Sequence, residues 1–140
     1  MDCKNDNYYD LIVNNIINIK EDISPPKKFF EDNVLLKIYS LLKPNGMYIN
    51  NTMTRNLKSY GEAFNILDKV FPLIYFCFKS KNLREDYEKV YNDNLSKLKN
   101  KEFCDNTLIN KIHRRIMPKV ADTELVKKIL FDNHLRESPK

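Results

Sequence analysis

Hydrophobic spacing in the first 78 residues switches back and forth between two periods, and this alternation sharply limits the folds open to the chain. Tyr8-Tyr9-Asp10-Leu11-Ile12-Val13-Asn14-Asn15-Ile16-Ile17 has a short apolar centre rich in β-branched residues, as a buried strand requires. Ser24-Pro25-Pro26 breaks the chain. Phe30, Val34, Leu35, Ile38, Leu41 and Leu42 then recur at three- and four-residue spacing, which predicts an amphipathic helix over 29–43. Pro44-Asn45-Gly46 ends it, with Gly46 free to take the left-handed geometry of a helix exit. Met47 to Asn51 reads as a second strand. Leu57, Tyr60, Phe64, Leu67 and Phe71 mark one face of a second helix, stopped by Pro72, and Leu73 to Phe78 is a third strand, apolar throughout. Strand, helix, strand, helix, strand is the pattern of a parallel α/β sheet with crossover helices.

The remainder reads differently. Residues 1–78 carry nine Lys/Arg and nine Asp/Glu, whereas 79–140 carry fifteen and ten, so the whole net charge of +5 lies in the back. Leu83, Tyr87, Val90, Tyr91, Leu95 and Leu98 form a narrow apolar stripe on a charged background, predicting a helix over 81–100. Two shorter helices are expected over 107–117 and 123–131, separated by Pro118, with Asp122 as cap of the last. The expected division is therefore an α/β unit over 1–78 and a basic, mostly helical extension over 79–140.

Right-handed crossovers are nearly obligatory. If the three strands step across the sheet in one direction, both crossover helices lie on one face and the other face is bare. Burial stabilises by roughly 25 cal/mol per Å² of apolar surface, so that face needs a cover. The tail helices, another chain or a missing segment are the candidates.

Several function classes are excluded early. No apolar run approaches the roughly 18 residues of a membrane span, and the N-terminus lacks a basic-then-apolar signal pattern. Cys3, Cys77 and Cys104 form no CxxC pair and cannot all pair, which fits inert thiols in a reducing, cytoplasmic setting. His113 and His134 have no metal-ligand spacing, so no metal site is expected. His113-Arg114-Arg115, flanked by Lys111 and Lys119, is the densest basic spot. It lacks interleaved aromatics and has acidic neighbours, so it reads as a solvated helix face, and nucleic acid is not expected as a partner.

In order and spacing, certain residues resemble a known family. They are Tyr9-Asp10-Leu11-Ile12-Val13; the doubled Pro25-Pro26 followed by Phe29-Phe30; Leu35 to Gly46; Asn51-Thr52-Met53-Thr54-Arg55; and Val70-Phe71-Pro72-Leu73-Ile74-Tyr75. Together they resemble the second half of class I S-adenosylmethionine-dependent methyltransferases of the spermidine-synthase-like group. Within that group the likeness is greatest to the methyltransferase-like proteins that modify elongation factor 1-alpha at a lysine and at its N-terminus.

The resemblance implies that the strands above are the fourth, fifth and sixth of a partial Rossmann-like sheet. It also implies that the complete family domain binds S-adenosylmethionine and methylates a protein amine, by likeness on elongation factor 1-alpha. The glycine-rich turn that cradles the cofactor is not in this sequence; Gly46 and Gly61 stand elsewhere. No cofactor is therefore expected for this chain alone, no catalytic residue is assigned, and a missing N-terminal half or another chain is the implied partner. Where the family has acidic residues after its fourth strand, this chain has Asn14 and Asn15, which orient a substrate but abstract no proton.

Ligands of open parallel sheets sit beyond the carboxyl ends of the strands. Asn14, Asn15, Asn51 and Arg55 are thus the candidate lining of a substrate or cofactor cleft, with Pro25, Pro26 and Phe29 shaping the loop over it. Two alternatives stand beside this reading. One is a non-catalytic protein that pairs through its exposed sheet, and the other is a nucleic-acid-associated module using the basic tail.

Overall fold

A computed structural model describes residues 7–17, 20, 23–54, 56–105 and 114–137, with side chains described as far as residue 130. Strand β1 (Tyr9–Asn14) is followed by a two-residue strand β2 (Ile23–Ser24) and a 3-10 turn over Lys27–Phe30. Helix α1 (Asp32–Leu41), strand β3 (Leu42–Asn51), the short β4 (Met53–Thr54), helix α2 (Leu57–Val70) and strand β5 (Ile74–Phe78) complete the front. Helix α3 (Lys81–Leu95), strands β6 (Lys101–Asp105) and β7 (Arg114–Pro118), and helix α4 (Thr123–Glu137) make up the back.

The main sheet runs β1-β3-β7-β5-β6, while β2 and β4 form a separate antiparallel pair. β1 and β3 are parallel, as are β5 and β6, and β7 is antiparallel to both β3 and β5. The three strands expected of the front therefore do point the same way. They are not all neighbours, because β7 is wedged between the second and third.

That wedge corrects the reading of 79–140 as mostly helical. Residues 114–117 were expected to end a helix and instead form a strand, and residues 101–105 form another. Neither strand alternates cleanly. Arg-Arg-Ile-Met-Pro places two charges at its start, a pattern that periodicity alone assigns to a surface helix. Helix α3 is also shorter than expected and ends at Leu95, although Leu98 beyond it is still buried.

Strand pleat divides the core into two layers. Tyr48, Ile74, Phe76, Phe78 and Met117 face α1, α2 and α3, joining Leu35, Phe64, Leu67 and Tyr87. Met47, Ile49, Tyr75, Cys77 and Ile116 face the other way, where Val126 and Leu130 of α4 cover them. A tail helix thus supplies cover for the second face, one of the three options left open by the sequence. Its cap is the expected one: Asp122 Oδ1 accepts from the Leu125 backbone N–H at 3.1 Å. On β1, Leu11 packs against this layer while Val13 remains 55% exposed.

Helix α2 is set by its residues. Asn56 caps it, accepting from the backbone N–H groups of Lys58 and Ser59. Tyr60, Ala63, Phe64 and Leu67 then fall on one buried stripe, and Phe71-Pro72 ends it. The expected face holds except for Leu57, which is exposed.

The exit from α1 departs from expectation. No described glycine has a positive φ, so Gly46 does not form a left-handed cap. Tyr9 pairs with Leu42 and Leu11 with Met47, so residues 43–46 bulge out of the ladder, which is how a strand accommodates Pro44. Gly46 serves close approach instead. A Cβ there would lie 2.9 Å from the Tyr9 carbonyl oxygen, 3.0 Å from that of Lys43 and 3.2 Å from that of Asp10. Rigid backbone cannot yield as a side-chain tip does. Gly46→Ala should therefore cost about 1–3 kcal/mol, the usual range for overpacking, measured as a lower urea midpoint at unchanged slope.

Candidate functional site

β1 and β3 run parallel in register, Asn14 opposite Asn50, so their carboxyl ends emerge side by side. Alternation then sorts the asparagines. Asn14 and Asn50 point to the layer of α1 and α2, whereas Asn15 and Asn51 belong to the opposite face.

On the first face the side chains form a closed network. Asn14 Nδ2 and Asn50 Nδ2 each donate to Tyr48 Oη at 3.1 Å. Thr52 Oγ1 donates to Asn50 Oδ1, and Tyr60 Oη donates to the Thr52 carbonyl at 3.2 Å. Asn14, Tyr48, Asn50, Thr52 and Tyr60 are all buried. Burial raises the Tyr48 phenol above its ordinary value, an effect partly offset by the two amides that donate to it. The phenol is held neutral.

On the second face Asn51 Nδ2 donates to Asn15 Oδ1 at 2.7 Å. The Asn51 Oδ1 atom is buried without a hydrogen-bond partner. Of the expected site residues, Asn15 and Asn51 thus meet, while Asn14 stands at the same edge but turns its side chain to the opposite face. Arg55 lies outside the described residues, as do Cys3, Lys111 and His113. The β2–β4 pairing brings the Ser24-Pro25-Pro26 loop beside the chain leaving β3. Pro25 follows a cis peptide bond and is buried, Pro26 precedes the 3-10 turn, and Phe29 within that turn is half-buried.

Tyr48, Asn50 and Thr52 were missed by sequence reasoning. A period-two reading of Met47 to Asn51 would have placed Tyr48 and Asn50 on one face with the end of β1. The signal was present, but an abundance of asparagine obscured it.

The described part of the basic spot, Arg114, Arg115 and Lys119, is not a solvated helix face. Arg115 is 1% exposed, with its guanidinium carbon 5.3–5.6 Å from the ring centroids of Tyr60, Phe64, Phe76 and Tyr87. Its Nη2 donates to Tyr87 Oη, and its Nε is buried without a partner. Burial raises the Tyr87 phenol, with the Arg115 charge opposing, so this too is a neutral phenol beside a cation. Lys119 is also committed internally, donating to Asn7 Oδ1 at 2.9 Å and to the Leu42 carbonyl at 2.7 Å.

Cys77 and Cys104 are register partners on β5 and β6, and both are free thiols. Burial, then the neighbouring thiol, pushes Cys77 up to about 12 from 9.0, and burial raises Cys104 as well. Because the folded value exceeds the unfolded one, this contribution to stability is complete below about pH 9 and is lost as pH rises toward 12. Native Cys77 should accordingly react with iodoacetamide at pH 8 at least ~100-fold more slowly than the urea-unfolded chain, read by mass spectrometry.

Among the described residues no group of three or more His, Cys, Asp or Glu side chains could hold a metal ion, and no helix is long and apolar enough to cross a membrane. The two glycines lie in the β3 bulge and within α2, where Gly61 faces Asn94. Neither forms a strand-to-helix turn at the carboxyl edge.

No protein-family model matches the chain, and no solved structure does. Over 51 residues, 36% of this chain, the sequence is 37% identical to the eEF1A lysine and N-terminal methyltransferase of Xenopus laevis. The match spans 7% of that protein's length. The likeness is methyltransferase-like and extends over about a third of the chain.

Proposed function

We propose that this chain supplies the acceptor side of a class I, spermidine-synthase-like methyltransferase domain that acts on a protein amine, and that it transfers no methyl group alone. The observation that carries the reading is the Asn15–Asn51 pair at the carboxyl edge of two parallel strands, where ligands of open α/β sheets sit. The segment's likeness to a methyltransferase of eEF1A supports it, and a protein of that kind is the proposed substrate.

In the complete domain S-adenosylmethionine would supply an activated methyl group. The residues described here do not fit its nucleoside, since no glycine stands at a strand-to-helix turn. What they fit is the acceptor. Carboxamides offer donors and acceptors that fix the direction of an amine without titrating, and the Asn15–Asn51 amide pair is exposed at that edge. Positioning alone is a large share of such a reaction's acceleration. Among the described residues strand β1 ends the sheet and pairs only with β3, so the cofactor-binding strands of a preceding segment or another chain would continue the sheet there.

Calorimetry with S-adenosylhomocysteine tests the proposal. The expected result is no heat with these 140 residues and binding once a glycine-rich half is joined ahead of β1. Heat from the chain alone would show that the nucleoside is held by residues given no such role here. Failure of the joined protein to bind would remove the methyltransferase reading.

A further inference from the structure

A concavity lies between the 3-10 turn and α2. It has a volume of about 300 Å³ and is lined by Ile23, Phe30, Ala63 and Ile66 with Lys27, Glu31, Ser59 and Glu62. The helix contribution is one face, since Ser59, Glu62, Ala63 and Ile66 follow three- and four-residue spacing. Ala63 explains the hollow. It is buried at 2% exposure opposite Phe30 in the same core, and its single methyl leaves a gap that a longer side chain would fill.

The chemistry of the lining is asymmetric. The floor is apolar: Ile23, Phe30 and Ala63 are buried, with Ile66 half-buried beside them. Two exposed carboxylates, Glu31 and Glu62, stand at the rim, against one ammonium, that of Lys27. The rim is thus net negative in a chain whose total charge is +5. An apolar trough under two carboxylates suits a group with an aliphatic stem and a cationic head, the arrangement by which long basic side chains bury methylenes while keeping the charge at the surface.

We infer that this groove binds a lysine side chain of a partner polypeptide, with the methylenes on Phe30, Ala63 and Ile66 and the ammonium between Glu31 and Glu62. It is a docking contact made by residues other than Asn14, Asn15 and Asn51, and it does not depend on the methyl-transfer reading. Charge complementarity selects the head group, and the apolar floor takes the methylenes of its stem.

Nuclear magnetic resonance titration of the ¹⁵N-labelled chain tests this. The probes are three acetylated, amidated tripeptides, Ala-X-Ala, in which X is lysine, acetyl-lysine or norleucine. The lysine peptide is expected to shift amide signals of residues 27–31 and 59–66, and to bind at least about fivefold more tightly than the other two, a difference that a pair of partly exposed carboxylates can supply. Glu31→Gln combined with Glu62→Gln should remove that preference, and Glu62→Lys should abolish binding. These positions are exposed, and an unchanged circular dichroism melt would show that the variants fold. Equal binding of all three peptides, shifts confined to other residues, no saturable shift with the lysine peptide, or an undiminished preference in the double variant would each overturn the inference.

Discussion

Tyr48→Phe is expected to lower the free energy of unfolding by about 2–4 kcal/mol, although it removes one oxygen atom and leaves the ring in place. That oxygen accepts from two amides, those of Asn14 and Asn50, and all three residues are buried. Stranding one buried donor costs about 1–3 kcal/mol, more than the net value of the bond itself. Here a single change strands two donors, on neighbouring strands. Urea unfolding followed by circular dichroism would measure the loss. A change under about 1 kcal/mol would mean that water reaches the amides, and that the carboxyl edge of β1 and β3 is open rather than sealed. Asn50→Ala should cost less than the sum of separate defects suggests when combined with Tyr48→Phe, because members of one network are not additive.

The second large effect concerns Arg115, where chemical similarity and stability should part. No carboxylate pairs with its guanidinium among the described residues, which carry ion pairs elsewhere, such as Arg84 with Glu88 and Asp105. Taking an ion out of water costs several kcal/mol. Four surrounding rings return about 0.5–2 kcal/mol each, so the two effects nearly cancel. Arg115→Met, which keeps the length and drops the charge, should therefore leave stability within about 1 kcal/mol of the parent or raise it.

Arg115→Lys keeps the charge yet should lose about 2–4 kcal/mol. A lysine head is more strongly hydrated, and it lacks the planar surface that lies against Tyr60, Phe64, Phe76 and Tyr87. Thermal melts of the two variants would rank them. If lysine were tolerated and methionine cost more than about 3 kcal/mol, the positive charge itself would be required, and the account of the aromatic cage would fail.

Much of the front was legible in the sequence because each element there carries its own instruction. The apolar run at Leu11 to Val13, the helical spacing of Tyr60, Phe64 and Leu67, and the unbroken apolar run from Ile74 to Phe78 are local patterns, and each became the expected element. Asp122 as a helix cap was legible for the same reason. Asn14, Asn15 and Asn51 could be placed at one edge because parallel strands with helical crossovers necessarily share a carboxyl end. What failed were inferences from a single residue type. Gly46 suggested a left-handed exit and is instead a point of close approach to Tyr9 and Asp10, while Arg114-Arg115 suggested a solvent-facing helix.

The sequence by itself determined the alternation of the first 78 residues, the common direction of β1, β3 and β5, and the edge where their ends gather. It could do so because hydrophobic period and chain breakers act over a few residues. Only the tertiary structure decided that β7 enters between β3 and β5, that α4 roofs the second face, and that Arg115 lies inside. No short pattern encodes those outcomes. Arg115 is tolerable only because α2, α3 and β5, distant in the chain, bring Tyr60, Phe64, Tyr87 and Phe76 around it, and that surrounding exists only once the fold does.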